Sequence, residues 1–331
     1  MIKSATNIVF GIAAMAIAAA ASLATPANAQ EFRLRFGLTF AQTHPISQGA
    51  ALFKEQVEKA SQGRVSITLY PSGQLGSQNT LQEAVVNGLL DFAQTSASSL
   101  EAIYKPAVVL ALPFGYRDDA HFRGVIKSDL GKDLYEDMRK KINVRILTTI
   151  FQPASQMTSN KPVRSIADFK GLRLRVPPVT VWQAFWRQAG VSPTPIDFAE
   201  LYTSLQTGIV DAQENPVVNT YNGKLHEVQK YLILTSHVRT INMFMVSEDT
   251  FKKMSADIQQ AMFQAGEAAE RFINDAWAVQ DKEAFVAIKK AGIEVISIDT
   301  QPLNQVAEDF YKSYLPADIF ARYEKMRAWG K

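Results

Sequence analysis

Past residue 32 the chain switches repeatedly between the two-residue period of a strand and the 3.6-residue period of a helix. Arg33 to Leu38 reads as a strand. Ile46, Ala50, Phe53, Val57 and Ala60 then recur at steps of four and three, which lines one face of a helix. Pro45 suits the first turn of that helix and Gly63 its end. Val65 to Tyr70 is a second strand, and Pro71-Ser72-Gly73 is the turn that follows it. Strand, helix and strand in this order predict parallel pairing and an α/β fold.

One pattern occurs twice. Leu81-x3-Val85-x2-Gly88-Leu89-Leu90-Asp91 is echoed by Leu201-x3-Leu205-x2-Gly208-Ile209-Val210-Asp211. Each copy reads as a helix closed by glycine, then a short buried strand entered through an apolar pair and an aspartate. Two similar lobes would produce such an echo. A third pattern begins at Ser255, a helix N-cap, where Ile258, Met262, Ala265, Ala269, Phe272, Ala276 and Val279 form an apolar stripe. Helical spacing continues to Ala291, where Gly292 stops it. After Val279 the stripe changes face, to Ala284 and Ile288. The pattern fits one helix of roughly 55 Å that packs on the first lobe and then the second, or two helices broken near Gln280.

The ends and the composition narrow the class. Lys3, the apolar run Ile8 to Leu23 and Ala27-Asn28-Ala29 form a secretory signal with its cleavage site, rather than an anchor helix, so residues 1–29 should be removed. The chain has 331 residues, more than one core usually needs, and predicts two domains. A net charge of +3 without any Lys/Arg run gives no nucleic-acid footprint. The absence of cysteine excludes disulfides, thiolate metal sites and cysteine nucleophiles.

The chemistry is sparse. No glycine-rich nucleotide loop, nucleophile elbow or zinc-protease motif occurs. His44, His121, His226 and His237 lack metal-ligand spacing, so no metal and no cofactor is expected, and no catalytic residue. In Gly171-Leu172-Arg173-Leu174-Arg175-Val176-Pro177-Pro178, alternation puts Arg173 and Arg175 opposite Leu172, Leu174 and Val176. The prolines place Arg175 at the strand's carboxyl end, where open α/β sheets leave a ligand crevice. Its planar fork matches a carboxylate; the alternative is a surface arginine paired with a nearby acid. Gln213-Glu214-Asn215-Pro216 follows the second echo, and Asn215 reads either as an amide donor to a ligand or as a turn former before proline.

Asp168-Phe169-Lys170-Gly171-Leu172-Arg173-Leu174-Arg175-Val176-Pro177, Pro193-Thr194-Pro195, Glu200 to Gly208 and Val210-Asp211-Ala212-Gln213-Glu214-Asn215-Pro216 strongly resemble the solute-binding subunits of TRAP transporters, in the branch named for C4-dicarboxylate binding. Thr158-Ser159-Asn160-Lys161-Pro162, Tyr70 to Gly76 and Ala111-Leu112-Pro113-Phe114 extend the match over the mature chain. The resemblance implies a monomeric periplasmic receptor of two α/β lobes, joined by hinge strands and a long shared helix. Residues 30–152 with 241–280 would form lobe I, and 153–240 with 281–331 lobe II. The receptor would do no bond chemistry and would deliver an organic acid to a membrane permease driven by a sodium gradient. The family's carboxylate-clamping arginine falls on Arg175 and its supporting asparagine on Asn215. A second frequent pocket arginine falls on Ser155, which argues against a dicarboxylate. Thr39, Ser77, Ser96 and Ser99 stand where the sialic-acid receptors place amide, acidic or basic groups, which argues against sialic acid as ligand. With Phe40 and Trp182 they suggest a monocarboxylate, aromatic or keto, as ligand; a C4-dicarboxylate or sugar acid is the alternative, and an exported hydrolase or a sensor-kinase receptor the rival from another class.

Overall fold

The computed structural model describes residues 31–330; the expected signal segment lies outside the described residues. Two six-stranded sheets organise the chain. The first contains β1 (Phe32–Gly37), β2 (Val65–Tyr70), β3 (Phe92–Ser96), β4 (Val144–Ile146), β5 (Ile150–Phe151) and, from much later in the chain, β11 (Ile241–Ser247). Its order is β2-β1-β3-β11-β4, with β5 also on β11. The second contains β6 (Ser155–Ser159), β7 (Arg173–Val176), β8 (Ser192–Pro195), β9 (Ala212–Asn215), β10 (Tyr231–Val238) and β12 (Glu294–Ser297), in the order β12-β10-β6-β9-β7-β8. In each sheet three parallel strands meet one antiparallel strand: β2-β1-β3 meets β11, and β8-β7-β9 meets β6. The internal echo is therefore a repeat of topology, with β3 and β9 in the same place in the two lobes.

The chain crosses between the sheets at residues 152–154 and 239–240. A main-chain hydrogen bond from Gln152 N to Thr240 O (3.1 Å) ties the crossings together. The long helix Ala256–Lys290 is the third connection, unbroken over 35 residues. It excludes the alternative of a break near Gln280. At 1.5 Å per residue it spans about 52 Å. Its buried stripe is Ile258, Met262, Ala265, Ala269, Ile273, Trp277, Ala284 and Ile288. Two residues of the expected stripe are misplaced: Phe272 is 39% and Val279 56% exposed. Steps of four from Ala269 lead to Ile273 and Trp277, and Phe272 sits one residue, about 100°, off that line.

The second echo also starts later than the sequence pattern suggested. Gly208 takes a left-handed φ of +70°, which turns Ile209 into solvent at 57% exposure, and β9 begins at Ala212. Gln213-Glu214-Asn215 is therefore the strand itself rather than a segment beyond it. At the carboxyl terminus the helix Gln301–Tyr314 packs on the helix Thr180–Gln188, whereas Ala317–Ala328 packs on the 3-10 turn Lys105–Ala111. The block 281–331 thus touches both halves.

Candidate functional site

The carboxyl ends of the parallel strands of both sheets point at one another, and a cavity of about 330 Å³ lies between them. From the first half, Thr39 and Phe40 follow β1, Ser77 opens the helix Gln78–Val86, Ser96 ends β3 and Ser99 follows it. The second half supplies Ser155, Arg175, Trp182 and Asn215. The residues expected from the sequence to bind ligand therefore line this one space, whereas Arg173 does not.

Arg175 is the exceptional side chain. It is 2% exposed, and Nε donates to Ile196 O at 2.7 Å. Among the described residues it makes no ion pair, and it is the only basic residue on the cavity wall. Burial pushes its guanidinium down to about 10, with the more distant Glu214 and Asp197 carboxylates pulling the other way. A buried cation without a bound counter-charge is costly unless an anion arrives. Arg173, two residues earlier on the same face, meets the bland alternative: it pairs with Asp211 at 2.6 Å, beside Lys161 at 2.8 Å. Arg145 and Arg239 do not supply a second cation to the site. Arg145 is held by Glu248 (2.7 Å) and Arg239 by Asp119 (2.7 Å), and neither lines the cavity.

Around Arg175 the wall is neutral or acidic. Glu214 is 2% exposed, and its Oε2 faces His237 Nε2 at 3.3 Å. Asp197 and Glu200 complete three carboxylates against one guanidinium. Asn215 Nδ2 donates to Gln213 Oε1 (2.7 Å), which fixes the amide and leaves its second N–H for another acceptor. Ser155 is buried, and Ser96 and Ser98 share a hydrogen bond of 2.9 Å. The Ser77 hydroxyl caps its own helix at Thr80 N (3.4 Å) while standing at the cavity edge.

Two expected contributors are already engaged. Trp182 Nε1 donates to Ala111 O at 2.6 Å, across from one half to the other, so only its ring faces the cavity. Phe40 stacks on His44 with centroids 4.0 Å apart and meets Phe198 edge to face at 5.7 Å. Phe40 and Phe198 come from opposite halves and close over the cavity together. His44 adds a second bridge. Its Nδ1 accepts from Ile46 N (3.2 Å), a group that can only donate, so the ring proton is on Nε2 and is given to Asn219 Oδ1 (3.2 Å). Burial pushes His44 down to about 4, with the Asn219 bond opposing, and the ring is neutral. Glu101 caps Val181 N (3.2 Å) from across the cleft, and burial raises its carboxyl.

Sequence reasoning missed Gln94, Gln152, Asn242, Asn219, His44 and Phe198. The first three are joined by side-chain hydrogen bonds from three distant segments: Gln94 Nε2 to Asn242 Oδ1, and Asn242 Nδ2 to Gln152 Oε1, each 2.8 Å. Asn242 did carry a signal, as the lone amide in the otherwise apolar run Ile241-Asn242-Met243-Phe244-Met245-Val246. No group of His, Asp and Glu suited to a metal ion occurs among the described residues.

Comparison with known proteins gives a consistent picture. The model of the family described as "Bacterial extracellular solute-binding protein, family 7" matches residues 36–318. The chain is similar to the sialic acid-binding periplasmic protein SiaP of Vibrio cholerae, 32% identical over 94% of this chain and 95% of that protein. Among solved structures it is similar to a TRAP periplasmic solute-binding protein of Roseobacter denitrificans with bound L-galactonate. That likeness has a TM-score of 0.84 and 28% identity over 90% of this chain and 99% of the other. A second TRAP protein, from Polaromonas, bound to D-erythronate, gives a TM-score of 0.85 and 28% identity over the same shares.

Proposed function

The chain belongs to family 7 of the bacterial extracellular solute-binding proteins, the receptor subunits of TRAP transporters, and we propose that it receives a polar monocarboxylate whose body carries hydroxyl or keto oxygens. It is a receptor of small organic acids, not an enzyme, and receptors of this kind are periplasmic partners of membrane permeases. The observation that carries the finer reading is the charge of the cavity: one buried guanidinium, Arg175, without an ion pair among the described residues and among three carboxylates. A single carboxylate supplies the missing counter-charge. A second would face Asp197, Glu200 or Glu214 without a cation of its own, a desolvation cost of several kcal/mol.

The rest of the wall decides the body of the ligand. Serine, threonine and amide side chains dominate it, whereas the Trp182 ring is packed at 3% exposure and Phe40 is spent on His44 and Phe198. Oxygenated chains of the aldonate, uronate or keto-acid type suit these groups better than a bare aromatic ring. L-galactonate and D-erythronate, bound by the two similar structures, are of this kind.

The working assignment is a clamp. Arg175 takes the carboxylate, with Asn215 beside it, and Ser155, Ser77, Ser96, Phe40 and Trp182 surround the remainder. Lobe I is residues 30–152 with 241–280, lobe II residues 153–240 with 281–331, and the crossings at 152–154 and 239–240 are the hinges. Closure excludes water from Arg175 and strengthens its ion pair. The receptor is proposed to act as a monomer, exported by the signal at 1–29.

A thermal-shift screen of the mature protein tests this. L-galactonate, D-erythronate, D-galacturonate, 2-oxo acids, benzoate and succinate form the panel. One or more oxygenated monocarboxylates should raise Tm, and succinate should not. A larger shift with succinate than with any monocarboxylate would refute the charge argument.

A further inference from the structure

Behind the first-lobe wall runs a chain of amides with only one possible direction. Both the hydroxyl (2.6 Å) and the main-chain N–H (3.4 Å) of Thr39 donate to Gln94 Oε1. A main-chain N–H cannot accept, so the Gln94 amide cannot be turned over without setting donor against donor. Its Nε2 must then donate to Asn242 Oδ1 (2.8 Å), and Asn242 Nδ2 to Gln152 Oε1 (2.8 Å). Gln94 and Asn242 are 0% and 1% exposed, on the neighbouring strands β3 and β11. Burial makes a mismatched link expensive, because each unpaired amide would carry its full desolvation cost.

Thr39, Asn242 and Gln152 all line the cavity, and the two ends of the chain have opposite character. The proton of the Thr39 hydroxyl is consumed by Gln94, so toward the cavity Thr39 offers only lone pairs. At the other end Gln152 lines the cavity, its oxygen occupied by Asn242 while its NH2 has no protein partner among the described residues. Gln152 also sits on the hinge crossing, held at Thr240 O.

We infer that the relay Thr39–Gln94–Asn242–Gln152 is a specificity determinant that fixes the first-lobe wall as a hydrogen-bond acceptor at Thr39 and a donor at Gln152. This rests on the proposed oxygenated monocarboxylate and sharpens it. The ligand body must bring an O–H to Thr39 and an oxygen lone pair to Gln152, which a hydroxy acid or hydroxy-keto acid does. A deoxygenated chain leaves both ends unpaired. A second carboxylate fails at Thr39 for a separate reason: it has no proton to give, so two lone pairs would meet. Sites built to pair a hydroxyl reject analogues that lack it far more strongly than apolar pockets reject size differences.

Two measurements on the mature protein test the relay. The first needs no ligand. The side-chain NH2 resonances of Gln94, Asn242 and Gln152 are followed by ¹H–¹⁵N NMR in Thr39→Val, with Ser98→Ala as the cavity-wall control. All three amides should shift in the threonine variant and none appreciably in the control. A response confined to Gln94 would overturn the relay. The second compares D-erythronate with butanoate, its deoxygenated equivalent, and L-galactonate with hexanoate. In each pair wild type should prefer the hydroxylated acid by on the order of 100-fold. Thr39→Val and Gln152→Met should each remove at least tenfold of that preference, through weaker binding of the hydroxylated acid, tighter binding of butanoate and hexanoate, or both. Equal losses for both members of a pair would overturn the inference, as would a wild type that does not discriminate. Arg175→Met separates the two proposals: if it leaves every acid bound as before, the clamp reading fails whatever the relay does.

Discussion

Arg175 makes a two-sided prediction, because the group that should bind the ligand also burdens the empty protein. A fall from the ordinary 12.5 to about 10 corresponds, at 1.36 kcal/mol per pH unit, to about 3 kcal/mol of unfavourable burial of the charge. That figure is already net of the attraction of Glu214 and Asp197. Arg175→Met keeps most of the side-chain volume and removes the charge, at the loss of the bond to Ile196 O, worth about 1–3 kcal/mol. The ligand-free variant should therefore be as stable as wild type or up to about 2 kcal/mol more stable. Its affinity for a carboxylate should fall by about 2–5 kcal/mol, or roughly 30-fold to several thousand-fold in Kd. Arg175→Lys should recover little of this, since an ammonium lacks the planar fork. Urea unfolding of the free protein and calorimetric titration with the best acid of the panel read the two sides separately. An unchanged Kd would refute the clamp. Lower stability of the free variant by several kcal/mol would show that Arg175 is a structural group whose charge is satisfied within the protein.

Other outcomes follow from single contacts. His44 accepts a proton near pH 6.5 when unfolded but only near 4 when folded, so the unfolded state binds more protons between those values. Stability should be full above pH 6.5 and fall by up to about 3 kcal/mol as pH drops toward 4; urea unfolding across that range should show this slope flattened in His44→Asn. Gly266→Ala gains about 1 kcal/mol of helix propensity, yet its new Cβ would lie 2.6 Å from the main-chain Leu147 O, so Tm should fall; a raised Tm would show that the long helix can move off the first lobe. Phe198→Ala removes the edge-to-face contact with Phe40, worth about 0.5–1.5 kcal/mol, and should weaken binding by roughly 2- to 12-fold through faster release, read by stopped-flow. Small-angle scattering should give a smaller radius of gyration with a bound acid than without, and identical curves at saturation would argue for a rigid pocket.

Much of this architecture is legible along the chain, because hydrophobic period reports what a core needs. The strand–helix–strand opening and the repeated unit follow from apolar spacing, as does a long helical stretch, whose continuity past Gln280 the spacing left open. Even there a stripe is read only to within one residue of rotation. Phe272 looks like core by composition, and only the facing elements decide that Ile273 and Trp277 take the buried line. Arg175 is legible for a different reason: alternation and two prolines locate it at a strand end. Its difference from Arg173 is not, because the ion pair with Asp211 joins positions 38 residues apart.

The site itself defeats the same reading where it matters most. Strand β9 is Ala-Gln-Glu-Asn and looks like a loop, since hydrophobic period marks strands only when their side chains serve the core. Here Glu214 and Asn215 line the cavity instead, and Gln213 orients Asn215 from behind. A polar strand inside an apolar lobe is costly unless each group has a partner, so its presence points to a site before any ligand is known. The same holds for Gln94 and Asn242, buried amides on strands that could have been apolar throughout. They are retained at a cost in desolvation, and that cost is offset only because each fixes the next. The directional chain they form requires residues 39, 94, 152 and 242 to meet, which only the folded topology brings about. A lone amide in an otherwise apolar strand is thus the sequence's trace of a network whose other members lie far along the chain.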